Sequence, residues 1–127
     1  MAISFYPYRQ DAAGIWRITT PERRDGTFPN FANGRAGALL NELGFGKECM
    51  WNADPVAIDL FEQAVFLART ALDGKPSPAT ENRVLPGPGI TIIEFGQWEG
   101  RDNERLDQLT ALIARGRASG ATHIGWG

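Results

Sequence analysis

A chain of 127 residues is long enough to bury one hydrophobic core without disulfides or metals, so we predict a single globular domain over residues 1–127. The formal net charge of −2 argues against nucleic acid or an anionic membrane as the main partner. The single cysteine, Cys49, excludes an internal disulfide and a multi-cysteine metal site.

The N-terminal segment lacks the apolar core of a signal peptide, because Pro7 and Arg9 interrupt it. No apolar run in the sequence reaches the length that spans a membrane. We therefore expect a cytoplasmic protein that has no membrane partner.

Two segments rich in aromatic and β-branched residues predict an antiparallel hairpin at the N-terminus. Residues Ala2–Tyr8 favour an extended strand, and Gly14–Thr20 alternates its side chains between two faces. Proline and glycine then mark residues 20–30 as a surface loop. Its paired Arg23 and Arg24 could hold a phosphate or carboxylate, although solvated arginines are the commoner case.

Two helices follow in the predicted order. An apolar stripe at helical spacing indicates a short helix over residues 34–43, which Gly44 ends. Asp54 and Pro55 suit the first positions of a longer helix that runs to residue 72. Apolar residues cover more than half of this second helix, which predicts burial against both the sheet and the first helix. Within it, Phe61 and Val65 are expected in the core and Phe66 on the surface.

Residues 74–89 are rich in proline and glycine, which predicts a long loop without regular structure. Loops of this length are often functional, but a plain connection across the sheet explains the segment equally well.

Residues 90–126 read as a strand, a helix and a second strand. Asp102 is predicted to cap the helix, Gly116 to allow close approach to the sheet, and Gly120 to end the helix. A helix between two short strands favours a parallel pair joined by a right-handed crossover. The predicted fold is α+β: two layers, a mixed sheet of about four strands, and three helices mainly on one face, in the order ββααβαβ.

A parallel crossover would bring the loop after the first strand and the end of the last strand to one edge of the sheet. Ligands prefer such carboxyl edges in parallel α/β folds. The residues predicted there combine two indoles with polar and charged groups: Gln97, Trp98, Glu99, Arg101 and Trp126. Alternatively, Trp98 and Trp126 only cover the open end of the core.

His123 could act as an acid or base near neutral pH, with Glu94 on the neighbouring parallel strand to orient it. A structural histidine is the commoner case on a half-apolar strand. The sequence contains no nucleophilic-serine elbow, phosphate loop, dinucleotide fingerprint or metal-spaced His/Cys cluster, so we expect no cofactor and no metal.

Two function classes fit these observations. The first is a binding or protein-interaction domain with a small molecule or protein as partner. The second is a small hydrolase or transferase that uses Glu99, Glu94 or His123. An unpaired edge strand would also suit a homodimer, because a second copy can cover it.

Overall fold

The computed structural model describes residues 2–20, 28–46, 54–87, 89–94 and 96–127. Cys49, Arg23 and Arg24 lie outside the described residues. The last residue of the predicted arginine loop, Asn30, is described and begins a strand. In chain order the elements are β1 (Ala2–Gln10), β2 (Trp16–Ile18), β3 (Asn30–Ala32), α1 (Asn33–Glu42), β4 (Val56–Ala57), α2 (Ile58–Ala71), β5 (Arg83–Gly87), β6 (Ile90–Glu94), α3 (Arg101–Ala118) and β7 (His123–Trp126).

The main sheet is built around β1, which pairs with three other strands. Its order is β2-β1-β7-β4, and β3 pairs with the first residues of β1. The predicted N-terminal hairpin of β1 and β2 is confirmed. β7 runs antiparallel to β1, with Phe5 opposite Trp126 and Tyr8 opposite His123. All the strand pairings among the described residues are antiparallel. The predicted mixture of parallel and antiparallel pairs is therefore not found there.

The core lies on one face of this sheet, beneath the helices. Alternation along β1 buries Ile3, Phe5 and Pro7 and leaves Tyr6 and Tyr8 half-buried on the other face. Helices α1 and α3 contact β1, and α2 contacts β7. The predicted α+β class, with three helices mainly on one face, is confirmed. None of the described helices combines the length and apolar character needed to cross a membrane.

Helix α2 is less deeply buried than its composition predicts. Phe61 is fully buried and Val65 is 4% exposed, whereas Phe66 is 64% exposed, as expected for all three. Leu60 and Leu67 are more than half exposed, at 55% and 58%, so the predicted burial on two sides is wrong. Helix α2 packs mainly against α3. Helix α1 does not cover Leu60 and Leu67, which stay exposed.

The start of α2 also differs from the prediction. Val56 and Ala57 form β4 and pair with Ile124 and His123, so the helix begins only at Ile58. Its N-cap residue is Ala57, which offers no side-chain cap. Asp54 and Pro55 therefore precede a strand. The β-branched Val56 gains backbone pairing to β7, and this long-range pairing outweighs the local capping signal.

The parallel crossover predicted for residues 90–126 is wrong. β6 pairs antiparallel with β5 in a separate two-stranded ribbon, whereas β7 lies between β1 and β4 in the main sheet. Residues 83–87 are thus a strand and not part of an irregular loop. Gly87, the last residue of β5, pairs with Ile90, the first of β6, and Gly89 has φ of 72°. Antiparallel pairing between strands so close in sequence is local, whereas a parallel pair needs a long crossover connection.

Both ends of α3 are fixed by specific contacts. At the C-terminal end, a Cβ on Gly116 would lie 3.2 Å from Pro7 Cβ, which confirms the predicted close approach. Gly120, with φ of 83°, follows the helix end as predicted. At the N-terminal end, the N-cap residue is Gly100, and the amide of Asp102 donates to Ser77 Oγ at 3.0 Å. The predicted capping by the Asp102 side chain is wrong, because Ser77 supplies the acceptor.

Candidate ligand-binding site

Trp98 projects from the turn before α3 and is 58% exposed. Its Nε1 donates to Glu104 Oε1 at 3.1 Å, and the Arg101 guanidinium lies 4.6 Å from the centre of the ring. Arg101 Nη1 also donates to Glu104 Oε2 at 2.9 Å. These two hydrogen bonds hold the pKa of Glu104 below its ordinary value, the bond from Trp98 being the stronger cause. Trp98 is thus an exposed indole with a fixed orientation.

Trp126 has a different environment, although it was predicted on the same rim. It is 8% exposed and packs against Phe5, Phe45 and Phe61 at ring-centre distances of 5.7, 5.4 and 6.3 Å. Antiparallel pairing of β7 with β1 directs it into the core. Glu99 is exposed in the turn beside Trp98. Ligand binding by the predicted rim residues remains a prediction. The parallel crossover that motivated it is not formed.

His123 and Glu94 do not lie on neighbouring strands. His123 pairs with Tyr8 on one side and Ala57 on the other, while the backbone of Glu94 pairs with Arg83 in the separate ribbon. The predicted strand adjacency, on which an orienting role of Glu94 rested, is therefore wrong. The imidazole lies 4.6 Å from the Trp16 ring, and its Nδ1 is 2.8 Å from the hydroxyl of Thr122.

Gln97 lines a cavity of about 550 Å³ that we call the helix cleft. The cleft lies among the three helices and the segment that leads from α2 to β5. Its lining residues come from α1 (Arg35, Ala38, Leu39, Glu42), α2 and its end (Ala68, Ala71, Leu72), α3 (Asp102, Arg105, Leu106) and the intervening segments (Pro78, Thr80, Gln97).

One wall of the helix cleft is a polar network centred on a buried arginine. Arg105 is only 6% exposed, and its Nη1 donates to Gln97 Oε1 at 2.8 Å and to Asp102 Oδ1 at 2.9 Å. Gln97 Nε2 in turn donates to Asp102 Oδ2 at 3.3 Å. Among the described residues, nothing accepts a hydrogen bond from the buried Nε of Arg105. The network therefore leaves one buried donor without an acceptor.

The chain between α2 and β5 anchors this wall. Ser77 is fully buried, and its amide donates to Asn103 Oδ1 at 2.8 Å. Thr80 and Gln97 exchange backbone hydrogen bonds of 2.9 and 3.1 Å. Because these bonds tie the segment to the start of α3, the polar groups of the cleft are positioned before any ligand arrives.

Glu42 provides the other acidic group of the cleft. The residue as a whole is exposed, but its carboxyl forms no hydrogen bond or ion pair among the described residues. Partial burial, and then repulsion from Asp102, raise its pKa, against the smaller opposing effects of Arg105 and Arg35. Burial and the nearby Arg101 lower the pKa of Arg105, although its bond to Asp102 opposes this. The guanidinium remains charged at neutral pH.

The remaining wall of the cleft is aliphatic. Leu39 and Leu106 are each 2% exposed, and Ala68, Ala71 and Leu72 add the end of α2. A concave site that combines apolar walls with a few fixed polar groups is the usual form of a small-molecule site.

A second, smaller cleft of about 290 Å³ lies along another face of α3. Arg101 and Arg115 line it together with Gln108, Asn30 and the buried Phe28. Two of the predicted rim residues therefore line a cleft. Arg101 lines this second cleft, and Gln97 lines the helix cleft.

Sequence reasoning missed Arg105, Glu42 and Arg35. One signal pointed to Arg105, which is a charged residue next to Leu106 in the apolar stripe of α3, three residues after an aspartate. Such a residue needs a buried partner. Glu42 and Arg35 gave no signal, because charged residues on a short amphipathic helix usually face solvent.

Within the described residues, no group of three or more His, Cys, Asp or Glu side chains could hold a metal ion. No family model matches the sequence, and no curated protein or solved structure shows detectable similarity to the chain.

Proposed function

We propose that this protein is a binding domain that holds a small amphipathic molecule in the helix cleft. The observation that carries the proposal is the network of the buried Arg105 with the half-buried Asp102 and Gln97, which faces an aliphatic wall across the cavity. Its volume of about 550 Å³ falls within the range of roughly 300–1,000 Å³ that is typical of ligand pockets.

The polar network is better explained by binding than by stability. Replacing a buried ion pair with apolar residues is often neutral or stabilising, so such a pair is weak support for a purely structural role. A buried donor without an acceptor costs about 1–3 kcal/mol, and the Nε of Arg105 is such a donor.

A small hydrolase or transferase is the second candidate, and one observation favours it. Glu42 and Asp102 line the same cleft, and the pKa of Glu42 is raised by its burial and by Asp102. Two carboxyl groups in unlike environments are typical of acid–base pairs in enzymes. Any ligand that the protein converts, followed by NMR over hours, would support this candidate over simple binding.

The test is a small-molecule screen by thermal shift on three proteins. In Ala71→Phe a ring fills the helix cleft, because Ala71 lines it and is exposed. In Ala114→Phe the same ring is added at an exposed position of α3 that does not line the cleft. We expect ligands that stabilise the wild type and Ala114→Phe but not Ala71→Phe. If every ligand found stabilises all three proteins equally, the site is elsewhere.

A further inference from the structure

We infer that this protein pairs with a second copy of itself through an exposed apolar stripe on α2, which we call the α2 seam. The seam consists of Leu60, Ala64, Leu67 and Ala71, which follow one another at spacings of four, three and four residues. On a helix these positions fall within about 60° of one another and form one line. Three of the four residues do not line the helix cleft, so this pairing is independent of the proposed function.

The α2 seam is apolar and yet exposed to solvent. Leu60 is 55% exposed and Leu67 is 58% exposed. Ala71 is also exposed, and Ala64 is half-buried between the two leucines. Because the leucines are seven residues apart on one face, the small Ala64 forms the floor of a hollow between them. A single exposed leucine is ordinary, but a line of apolar residues along a helix marks an interaction surface.

The order of large and small residues selects a second copy as the partner. The series Leu-Ala-Leu-Ala becomes Ala-Leu-Ala-Leu when it is read backwards, so in an antiparallel pair every leucine faces an alanine. Leu60 then lies opposite Ala71 of the second copy, and Ala64 lies opposite Leu67 of the second copy. A twofold axis makes each of these contacts twice. Large residues that face small ones allow two helices to pack closely.

The charged residues of α2 do not oppose this pairing. Asp59 and Glu62 form ion pairs with Arg117 of α3. Arg69 forms an ion pair with Asp107 of the same helix. These side chains are therefore engaged on the side of α2 that faces α3, and the seam lies on another side.

The exposed border of the α2 seam is polar but uncharged, since it is formed by Gln63 and Thr70. In the antiparallel pair Gln63 lies beside Thr70 of the second copy, where the amide can donate to the hydroxyl, and no like charges meet. The seam is short and buries less than the roughly 800 Å² per partner of a standard interface. We therefore expect a reversible dimer with a dissociation constant in the micromolar range.

The first experiment measures self-association by analytical ultracentrifugation over a concentration series. Leu67→Glu places a charge in the α2 seam, and Phe66→Glu is the matched control. Phe66 is 64% exposed, but it points about 100° away from Leu67 around the helix. We expect the wild type and Phe66→Glu to dimerise alike. Leu67→Glu should weaken the dimer by about tenfold or more, because its carboxylate loses water without gaining a partner.

Two results would overturn the inference at this stage. Wild-type protein that is monomeric at every concentration would show that the seam does not self-associate. A dimer that Leu67→Glu leaves intact, or that Phe66→Glu disrupts equally, would be formed by another surface. Circular dichroism of both variants should match the wild type, because both positions are exposed.

The second experiment tests the antiparallel register by disulfide formation in a Cys49→Ser background, which removes the natural cysteine. Leu60→Cys and Ala71→Cys are oxidised separately and as a mixture, and the products are identified by mass. The mixture should cross-link position 60 to position 71. Each variant alone should remain uncross-linked, because identical positions lie about 16 Å apart along the axis of an antiparallel pair. Cross-linking of Leu60→Cys to itself, or no cross-link in the mixture, would overturn the inference.

Discussion

Trp98 precedes α3 in the sequence and Trp126 follows it, and the two indoles have contrasting environments. Trp126 is 8% exposed and packs among three phenylalanine rings on the central sheet. Trp98 is 58% exposed and is held from outside the core by Glu104 and Arg101. The difference follows from strand pairing, since β7 has two partners in the main sheet and β6 has its described partner in β5. An aromatic residue next to a strand is core only if that strand joins the sheet that the helices cover.

The largest effect should come from truncating these two indoles. Trp126→Ala should lower the free energy of unfolding by about 3–5 kcal/mol, because it leaves a cavity among packed rings. Trp98→Ala should also lose the hydrogen bond to Glu104. Apart from that bond, it should change the free energy of unfolding by about 0.5 kcal/mol or less, as substitutions at exposed positions do. Urea denaturation of both variants measures the difference. Equal losses would show that the two environments are energetically alike.

Gly125→Ala should be the next most damaging change at the β7 end. A Cβ at this position would lie 2.6 Å from Cε2 of Tyr8, so the ring must move. We expect a loss of about 1–3 kcal/mol, as for other overpacked sites. In a double-mutant cycle with Tyr8→Ala the cost of Gly125→Ala should fall. The same cost in both backgrounds would exclude the ring as the cause.

Ser77→Ala tests the attachment at the N-terminal end of α3. The hydroxyl accepts from the amide of Asp102 in the first turn of the helix, and losing such an acceptor costs about 0.5–2 kcal/mol. Native-state hydrogen exchange should show a larger acceleration for the Asp102 amide than for the amides of β7, whose exchange should change only with the global free energy of unfolding. Unchanged exchange at Asp102 would show that Ser77 is not the effective cap.

The smallest effect is expected for Glu104→Gln, and it should depend on pH. The folded-state pKa of Glu104 lies below its ordinary value of 4.5 because of the bonds from Trp98 and Arg101. Ionised Glu104 therefore stabilises the fold above pH 4.5, and this contribution disappears as the pH falls through the lower folded value. Denaturation curves of wild type and variant should differ at neutral pH and converge in acid. A difference that is constant with pH would contradict this assignment.

Features within one helix were predictable from the sequence, because they depend on local periodicity. Phe61 and Val65 were correctly separated from Phe66, and Gly116 was correctly placed at a close approach. The partners of β6 and β7 were not predictable in this way. Either strand could pair locally or with a distant strand, and nothing in the residues of one strand identifies its neighbour.

The same reasoning accounts for the candidate site. Gln97 was selected because it follows a strand of the predicted parallel crossover, and it lines the helix cleft although that crossover is wrong. Glu42 and Arg35 were missed because they face α3 only after α1 has packed on the sheet. Asp102 was noticed for the wrong reason, since a cap and a buried partner for Arg105 look identical in sequence.

The pairing of Phe5 with Trp126 has a consequence for the order of folding. β1 is synthesised before β7, and all the other described elements lie between these two strands in the sequence. Before β7 has been synthesised, the edge of β1 that will pair with it is unpaired. An unpaired strand edge favours association with other chains. Contacts so distant in sequence also slow folding. A nascent chain interrupted before β7 would therefore present an open strand at what becomes the middle of the finished sheet.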